Sequence, residues 1–194
     1  AYEGLSVFSP SLVVRNTIQI TANVMSCSVR HKVKKVVYLS SMARYGSQVT
    51  IPFTEDMVPN PQDPYGISKL AAEKLVENIA STHGIEFVIL VPHNVIGPRQ
   101  KYDDPYRNVA SIMINRMLHG KQPIIYGNGN QKRCFSFIND VIDPLITACN
   151  SKLAVGKTIN IGPDEEFITI NELAQHIAKI INFSLDPIYV PERP

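Results

Sequence analysis

A hydroxyl, a phenol and an ammonium fall close together in this sequence, where Ser40-Ser41-Met42-Ala43-Arg44-Tyr45-Gly46 is followed by Pro64-Tyr65-Gly66-Ile67-Ser68-Lys69. Tyr65 and Lys69 are four positions apart, so on a helix they lie one above the other on the same face. A lysine charge held there favours the ionised phenol, and a phenol so tuned is a candidate general base. The pair alone is a weak signal. Its force comes from the setting: a strand ending in Ser40-Ser41, a loop carrying Pro52, Pro59 and Pro61, and a helix that opens at the tyrosine.

The elements that position these groups are readable from periodicity and punctuation. Val36-Val37-Tyr38-Leu39 is short, apolar and β-branched, the pattern of a buried strand whose end delivers Ser41 to a sheet edge. Asp63 is the expected N-cap of the following helix and Pro64 suits its first position. Leu70, Ala71, Leu75 and Ile79 carry the apolar stripe to residue 82, and Gly84 ends it. Upstream, residues 10–29 read as a helix with Ile18, Val24, Met25 and Cys27 on its apolar side. Downstream, strands at 87–91, 123–126, 134–137, 158–161 and 188–190 alternate with helices at 108–118, 139–149 and 169–181, and a long polar loop covers 97–107. Asp140 reads as a helix cap beside Asn139, not as a catalyst.

This alternation predicts an α/β chain with a Rossmann-like, doubly wound parallel sheet. Ligands of such sheets bind beyond the carboxyl ends of the strands, where Ser41, Asn94 and the loop after Gly97 would gather. The glycine-rich phosphate loop that opens a dinucleotide-binding domain is not in the sequence, and Gly127 and Gly129 form only a Gly-x-Gly fragment best read as a tight turn.

With 194 residues, 44% hydrophobic and 19% charged, the chain has the composition of an ordinary globular protein. A net charge of +2 gives no argument for nucleic acid, and no apolar run reaches membrane-spanning length. Cys27, Cys134 and Cys149 are scattered and lack a Cys-x-x-Cys arrangement, so neither a disulfide framework nor a zinc site is suggested. The expected location is the cytoplasm. Ala1 is not an initiator Met, and Ala1-Tyr2-Glu3-Gly4 reads as the middle of a loop, so a fragment is expected.

Taken in order, Val37-Tyr38-Leu39-Ser40-Ser41, Tyr65-Gly66-Ile67-Ser68-Lys69, Asn94-Val95-Ile96-Gly97-Pro98-Arg99-Gln100 and Arg133-Cys134-Phe135-Ser136-Phe137-Ile138-Asn139-Asp140-Val141 resemble the extended short-chain dehydrogenase/reductases, in particular the NAD-dependent nucleotide-sugar epimerase/dehydratase family of UDP-glucose 4-epimerase type. The resemblance covers essentially the whole chain, with Asn160-Ile161-Gly162 and Thr169-Ile170-Asn171-Glu172-Leu173 matching a late strand and helix. It implies that the first third of the family's chain, with its glycine loop, precedes Ala1. It also implies that residues 1–98 form the later part of the NAD-binding domain and 99–194 mainly a small C-terminal substrate lobe, some segments returning to the sheet.

Carried over residue by residue, the resemblance makes Ser41 the partner of a sugar hydroxyl and Tyr65 the base, with Lys69 holding the nicotinamide ribose. Ser40 and Asn16 would approach the cofactor, though Asn16 reads equally well as a solvated helix residue. His93 would lie beside the nicotinamide or simply pack against Pro92. Asn94, Asn108 and Arg133 would grip the substrate diphosphate and Tyr126 line the nucleotide, the alternative for Arg133 being a surface salt bridge. A homodimer through the helices near 10–29 and 63–82 is implied.

The family's dehydratases place an extra acid and base directly after the strand hydroxyl, and here those positions are Met42 and Ala43. Neither transfers a proton, which disfavours water elimination and the related decarboxylations and favours epimerisation through a transient keto-sugar. An NAD(P)-dependent reductase or dehydratase of a nucleotide sugar and a catalytically silent, dimerising module are the competing expectations.

Overall fold

Helix α1 (Glu3–Ser6) leads into a long helical run composed of α2 (Pro10–Val14), a π turn (Arg15–Gln19) and α3 (Ile20–Arg30). The computed structural model describes residues 3–104, 106, 108–163 and 167–192. The single helix expected over 10–29 is therefore interrupted by a turn that accommodates an extra residue and rotates the face beyond it. Thr21, Met25 and Ser28 make the inward stripe of α3. Val24 and Cys27, expected inside, sit one step round the helix and are exposed.

Strand β1 (Lys35–Leu39) ends in a 3-10 turn (Met42–Arg44), and α4 (Pro64–His83) follows the proline-rich loop. The Asp63 side chain accepts from Gly66 N at 2.9 Å, and Gly84 closes α4 in the left-handed conformation, φ 65°. Both punctuation marks act as expected. Next come β2 (Glu86–Pro92), β3 (Val95–Ile96), α5 (Val109–Leu118) and β4 (Ile124–Tyr126). The strand expected at 134–137 is instead two short bridges, β5 (Lys132–Arg133) and β6 (Ser136–Phe137), with Cys134 between them.

Helix α6 (Ile138–Asn150) starts after Phe137 without a side-chain cap, so Asp140 lies inside the first turn, where its charge suits the helix dipole, and is not the cap. The chain continues through β7 (Thr158–Ile161), β8 (Ile168–Thr169), α7 (Ile170–Ile181) and β9 (Ile188–Val190). A capping box opens α7: Glu172 N donates to Thr169 Oγ1 at 3.1 Å while Thr169 N donates to Glu172 Oε2 at 2.8 Å.

Strands β1, β2 and β7 form a parallel sheet in that order, with Val37 opposite Val88 and Leu90 opposite Ile159. Strand β2 is buried on both faces, which its unbroken apolar run requires. Val88 and Leu90 pack against Val141 and Ala148 of α6. On the opposite face, Phe87 joins Met25, Val76 and Ala80 of α3 and α4, and Ile89 and Val91 meet Tyr45. Helices on both sides make the sheet doubly wound, as expected. A separate core forms where α5 and α7 meet β4, around Met113, Met117, Ile125, Leu173 and Ile177. Strand β4 pairs in parallel with β9, while β5 and β8 are antiparallel. No described helix is long and apolar enough to cross a membrane.

Candidate active site

Gly66 decides how closely the two halves of the leading motif approach. A Cβ built there would lie 2.5 Å from the Ala43 carbonyl oxygen, so only glycine lets the first turn of α4 rest on the 3-10 turn after β1. Ser41 caps that turn, its hydroxyl accepting from Ala43 N at 3.2 Å, and it stands near enough to Tyr65 to draw the phenol's pKa down.

Tyr65 is 6% exposed. Burial pushes its phenol above the ordinary value, the Ser41 hydrogen bond pulls it down, and the Glu3 and Asp63 carboxylates push it up again. Lys69, expected to favour the ionised phenol, is held between two rings and a carbonyl. The Lys69 ammonium donates to the Leu39 carbonyl at 2.8 Å and lies 5.2 Å from the Tyr38 ring centre and 5.8 Å from that of Tyr65. Burial lowers the lysine and Glu73, one turn further along α4, raises it.

Ser40 departs from the cofactor role given to it. Successive strand residues point to opposite faces, and its hydroxyl turns inward to bond Glu73. Glu73 is fully buried and forms an ion pair at 3.1 Å with Arg44, itself 5% exposed. Burial raises the Glu73 carboxyl, while Ser40 and Arg44 draw it down. Arg44 also lies 5.0 Å from the Tyr45 ring centre, and Tyr45 donates to Asn160 Oδ1 at 2.9 Å, tying the site loop to β7. The Glu73–Arg44 pair escaped the sequence reading, although position 73 falls one helical turn beyond Lys69 on the same face.

A cavity of about 780 Å³ is lined by Ser41, Met42 and Ala43 together with His93, Asn94 and Arg133. Asn94 adopts the left-handed conformation at φ 33° and donates to the Cys134 carbonyl at 3.0 Å. The Arg133 guanidinium donates to the Lys132 carbonyl at 2.9 Å, and no described carboxylate lies within ion-pair distance of it. Its alternative as a surface salt bridge therefore falls away among the described residues. Glu3 and Asp63 also line the cavity; Asp63 was expected only as a helix cap, and Glu3 was given no role in the site.

Three predicted residues are placed elsewhere. Asn108 caps α5, its side chain accepting from Ala110 N at 2.9 Å; Tyr126 ends β4; and exposed Asn16 sits in the π turn. None lines the cavity, and neither do Ser40, Tyr65 and Lys69. Of the loop at 100–107, Pro105 and Arg107 lie outside the described residues.

Known proteins with similar sequence and structure point one way. A UDP-N-acetyl-α-D-glucosaminuronate decarboxylase of Bacillus cytotoxicus is 33% identical over 177 residues, 88% of this chain and 53% of the relative. The UDP-glucose 4-epimerase of Thermotoga maritima, solved with UDP-glucose, superposes with a TM-score of 0.93 at 29% identity over 100% of this chain and 62% of its own. The UDP-glucuronic acid 4-epimerase of Bacillus cereus, solved with UDP-glucuronic acid and NAD, gives a TM-score of 0.85 at 31% identity over 93% and 56%. The chain thus spans little more than half the length of these relatives. The family profile described as NAD dependent epimerase/dehydratase matches residues 2–162. With the serine, tyrosine and lysine gathered at the end of a parallel strand, the chain belongs to the NAD-dependent epimerase/dehydratase family.

Proposed function

We propose that the protein epimerises a nucleotide sugar of UDP-hexose type through a transient keto-sugar, with Tyr65 as base. The observation that carries this reading is Ser41, which lines the cavity together with Met42 and Ala43 and stands near enough to Tyr65 to draw its phenol down. A hydroxyl and a phenol are enough to remove and return the proton of a sugar hydroxyl, whereas elimination or decarboxylation calls for a further proton carrier where Met42 and Ala43 stand.

Tyr65 Oη accepts the sugar proton, and Ser41 holds the sugar oxygen against it. Arg133 lines the same cavity, and its guanidinium would pair with phosphate oxygens, fixing the nucleotide while leaving the sugar able to present either face. Lys69, Tyr65 and His93 fit the nicotinamide-ribose end of NAD, since the Lys69 ammonium sits at the open end of β1, where Leu39 is exposed. Bound NAD supplies reversible hydride acceptance. Ser40 does not fit this group, because its hydroxyl is committed to Glu73.

The proposed assembly is a homodimer through the helices at 10–30 and 64–83. Their outward faces expose Val14, Ile20, Val24 and Ile67, the last two 52% and 53% accessible, and a second copy would cover them. Sedimentation of Val24→Asp should then report a monomer where the parent reports a dimer.

Interconversion of UDP-glucose and UDP-galactose by the purified protein in the presence of NAD tests the chemistry. Tyr65→Phe should slow it by about 10²–10⁴-fold, the usual worth of a general base. A Tyr65→Phe enzyme as fast as the parent, or a dehydrated or decarboxylated product, overturns the reading.

A further inference from the structure

One contact in the cavity wall has no part in the proton chemistry above. The Cys134 sulfur lies 2.8 Å from His93 Nδ1 and 3.7 Å from Nε2. Cys134 is 2% exposed, and His93 is half-buried in the cavity wall. The backbone holds both residues in place. His93 N donates to the Ile161 carbonyl at 2.9 Å, Asn94 Nδ2 to the Cys134 carbonyl at 3.0 Å, and Ser136 N to the Asn94 carbonyl at 3.3 Å. Gly162, at φ 153°, makes the approach possible, since a Cβ there would meet His93 Cβ at 2.9 Å and Ser136 Oγ at 3.0 Å.

We infer that Cys134 is a positioning residue for His93, its S–H donating to Nδ1 and holding the imidazole in the neutral Nε2–H form. His93 is then a hydrogen-bond donor to a carbonyl or hydroxyl oxygen in the cavity and not a second base. The choice of tautomer follows from donor and acceptor strengths. An imidazole nitrogen is a good acceptor for a thiol proton, whereas the reverse arrangement spends an N–H on sulfur, a weak acceptor, and strands the thiol hydrogen.

The electrostatics agree with a neutral pair. Burial lowers His93 and the nearby Arg133 charge lowers it further; burial also raises the Cys134 thiol, against smaller pulls downward from a backbone hydrogen bond and from Arg133. The other ionisable groups lining the cavity are Lys132, Glu3, Asp63 and Glu55. What the Nε2–H faces, nicotinamide amide or sugar oxygen, rests on the proposed function; the tautomer does not.

The test is a ¹H–¹⁵N correlation spectrum of the imidazoles of the ¹⁵N-labelled protein across the range where histidine ordinarily titrates, about pH 5 to 8. His93 should show one neutral tautomer with its proton on Nε2 and titrate below its ordinary value. Cys134→Ala should lose the single tautomer and titrate higher, while Cys134→Ser, which keeps a donor, should retain the parent pattern. A proton on Nδ1 or mixed tautomers in the parent overturns the inference, and so does an unchanged His93 spectrum in Cys134→Ala. The parent spectrum decides even where a variant fails to fold. No cofactor or substrate is needed, so this outcome is separate from that of the epimerisation assay.

Discussion

The two sides of the candidate site, a tyrosine wall that reaches the cavity through Ser41 and Asp63 and an arginine wall that reaches it through Arg133, are built differently. The tyrosine wall stands on α4, 20 residues long, capped at both ends and anchored by a fully buried ion pair. The arginine wall stands on two-residue bridges, β3, β5 and β6, joined by a left-handed Asn94 and carrying an exposed Arg133. A proton transfer needs its partners held to a fraction of an ångström, and a long helix packed on a sheet holds them so. Gripping a diphosphate needs charge and reach, which short, exposed segments can supply while adapting to the substrate. Changes on the first wall should accordingly be felt as stability, and changes on the second as affinity.

The largest effect is expected from Glu73→Ala. It leaves Arg44 buried without its partner, which costs about 3–5 kcal/mol, and releases Ser40. Chemical denaturation measures it; a loss below about 1 kcal/mol would show that the tyrosine wall is not anchored by this pair. Arg133→Ala should leave the denaturation midpoint where it was, because the side chain is exposed. It should instead weaken nucleotide-sugar binding by about 1.5–3 kcal/mol, roughly a 10- to 150-fold rise in Kd by calorimetry. Equal affinity in the variant would remove Arg133 from the diphosphate site and with it the contrast between the walls.

The same contrast governs what could be read from sequence. Helix α4 was legible because Asp63-Pro64 and Gly84 are strong local punctuation, although the apolar residues it buries are Ala72, Val76 and Ala80, one step round from the half-buried Leu70, Ala71, Leu75 and Ile79 expected inside. Strands β7 and β9 were legible as short apolar runs between turn residues. Strands β3, β5, β6 and β8 have two residues each, too few for any periodicity, and the strand drawn over 134–137 merged two bridges that pair with different partners. The π turn left no mark, since its residues are those of an ordinary helix. At the site, the spacing of Tyr65 and Lys69 was local and visible, and strand alternation could have shown that Ser40 and Ser41 face opposite ways. The Cys134–His93 contact joins residues 41 apart in sequence, and only the fold brings them together.

The smallest expected effect separates two tasks that Asp63 performs on the tyrosine wall. Its carboxylate caps α4, and its charge is one of those raising the Tyr65 phenol. Asparagine caps as well as aspartate, so Asp63→Asn keeps the hydrogen bond from Gly66 and forfeits only the attraction of a negative charge to the helix N-terminus, about 0.3–1 kcal/mol. The Tyr65 pKa should fall, because a neighbouring anion that opposed phenolate is gone. Activity that depends on an ionised tyrosine rises with pH through that pKa, so the rising limb of the rate profile should move to lower pH. Ser41→Ala should move it the opposite way, since the Ser41 hydrogen bond is what draws the phenol down. A limb that stays in place in both variants would mean that Tyr65 is not the group whose ionisation the profile follows.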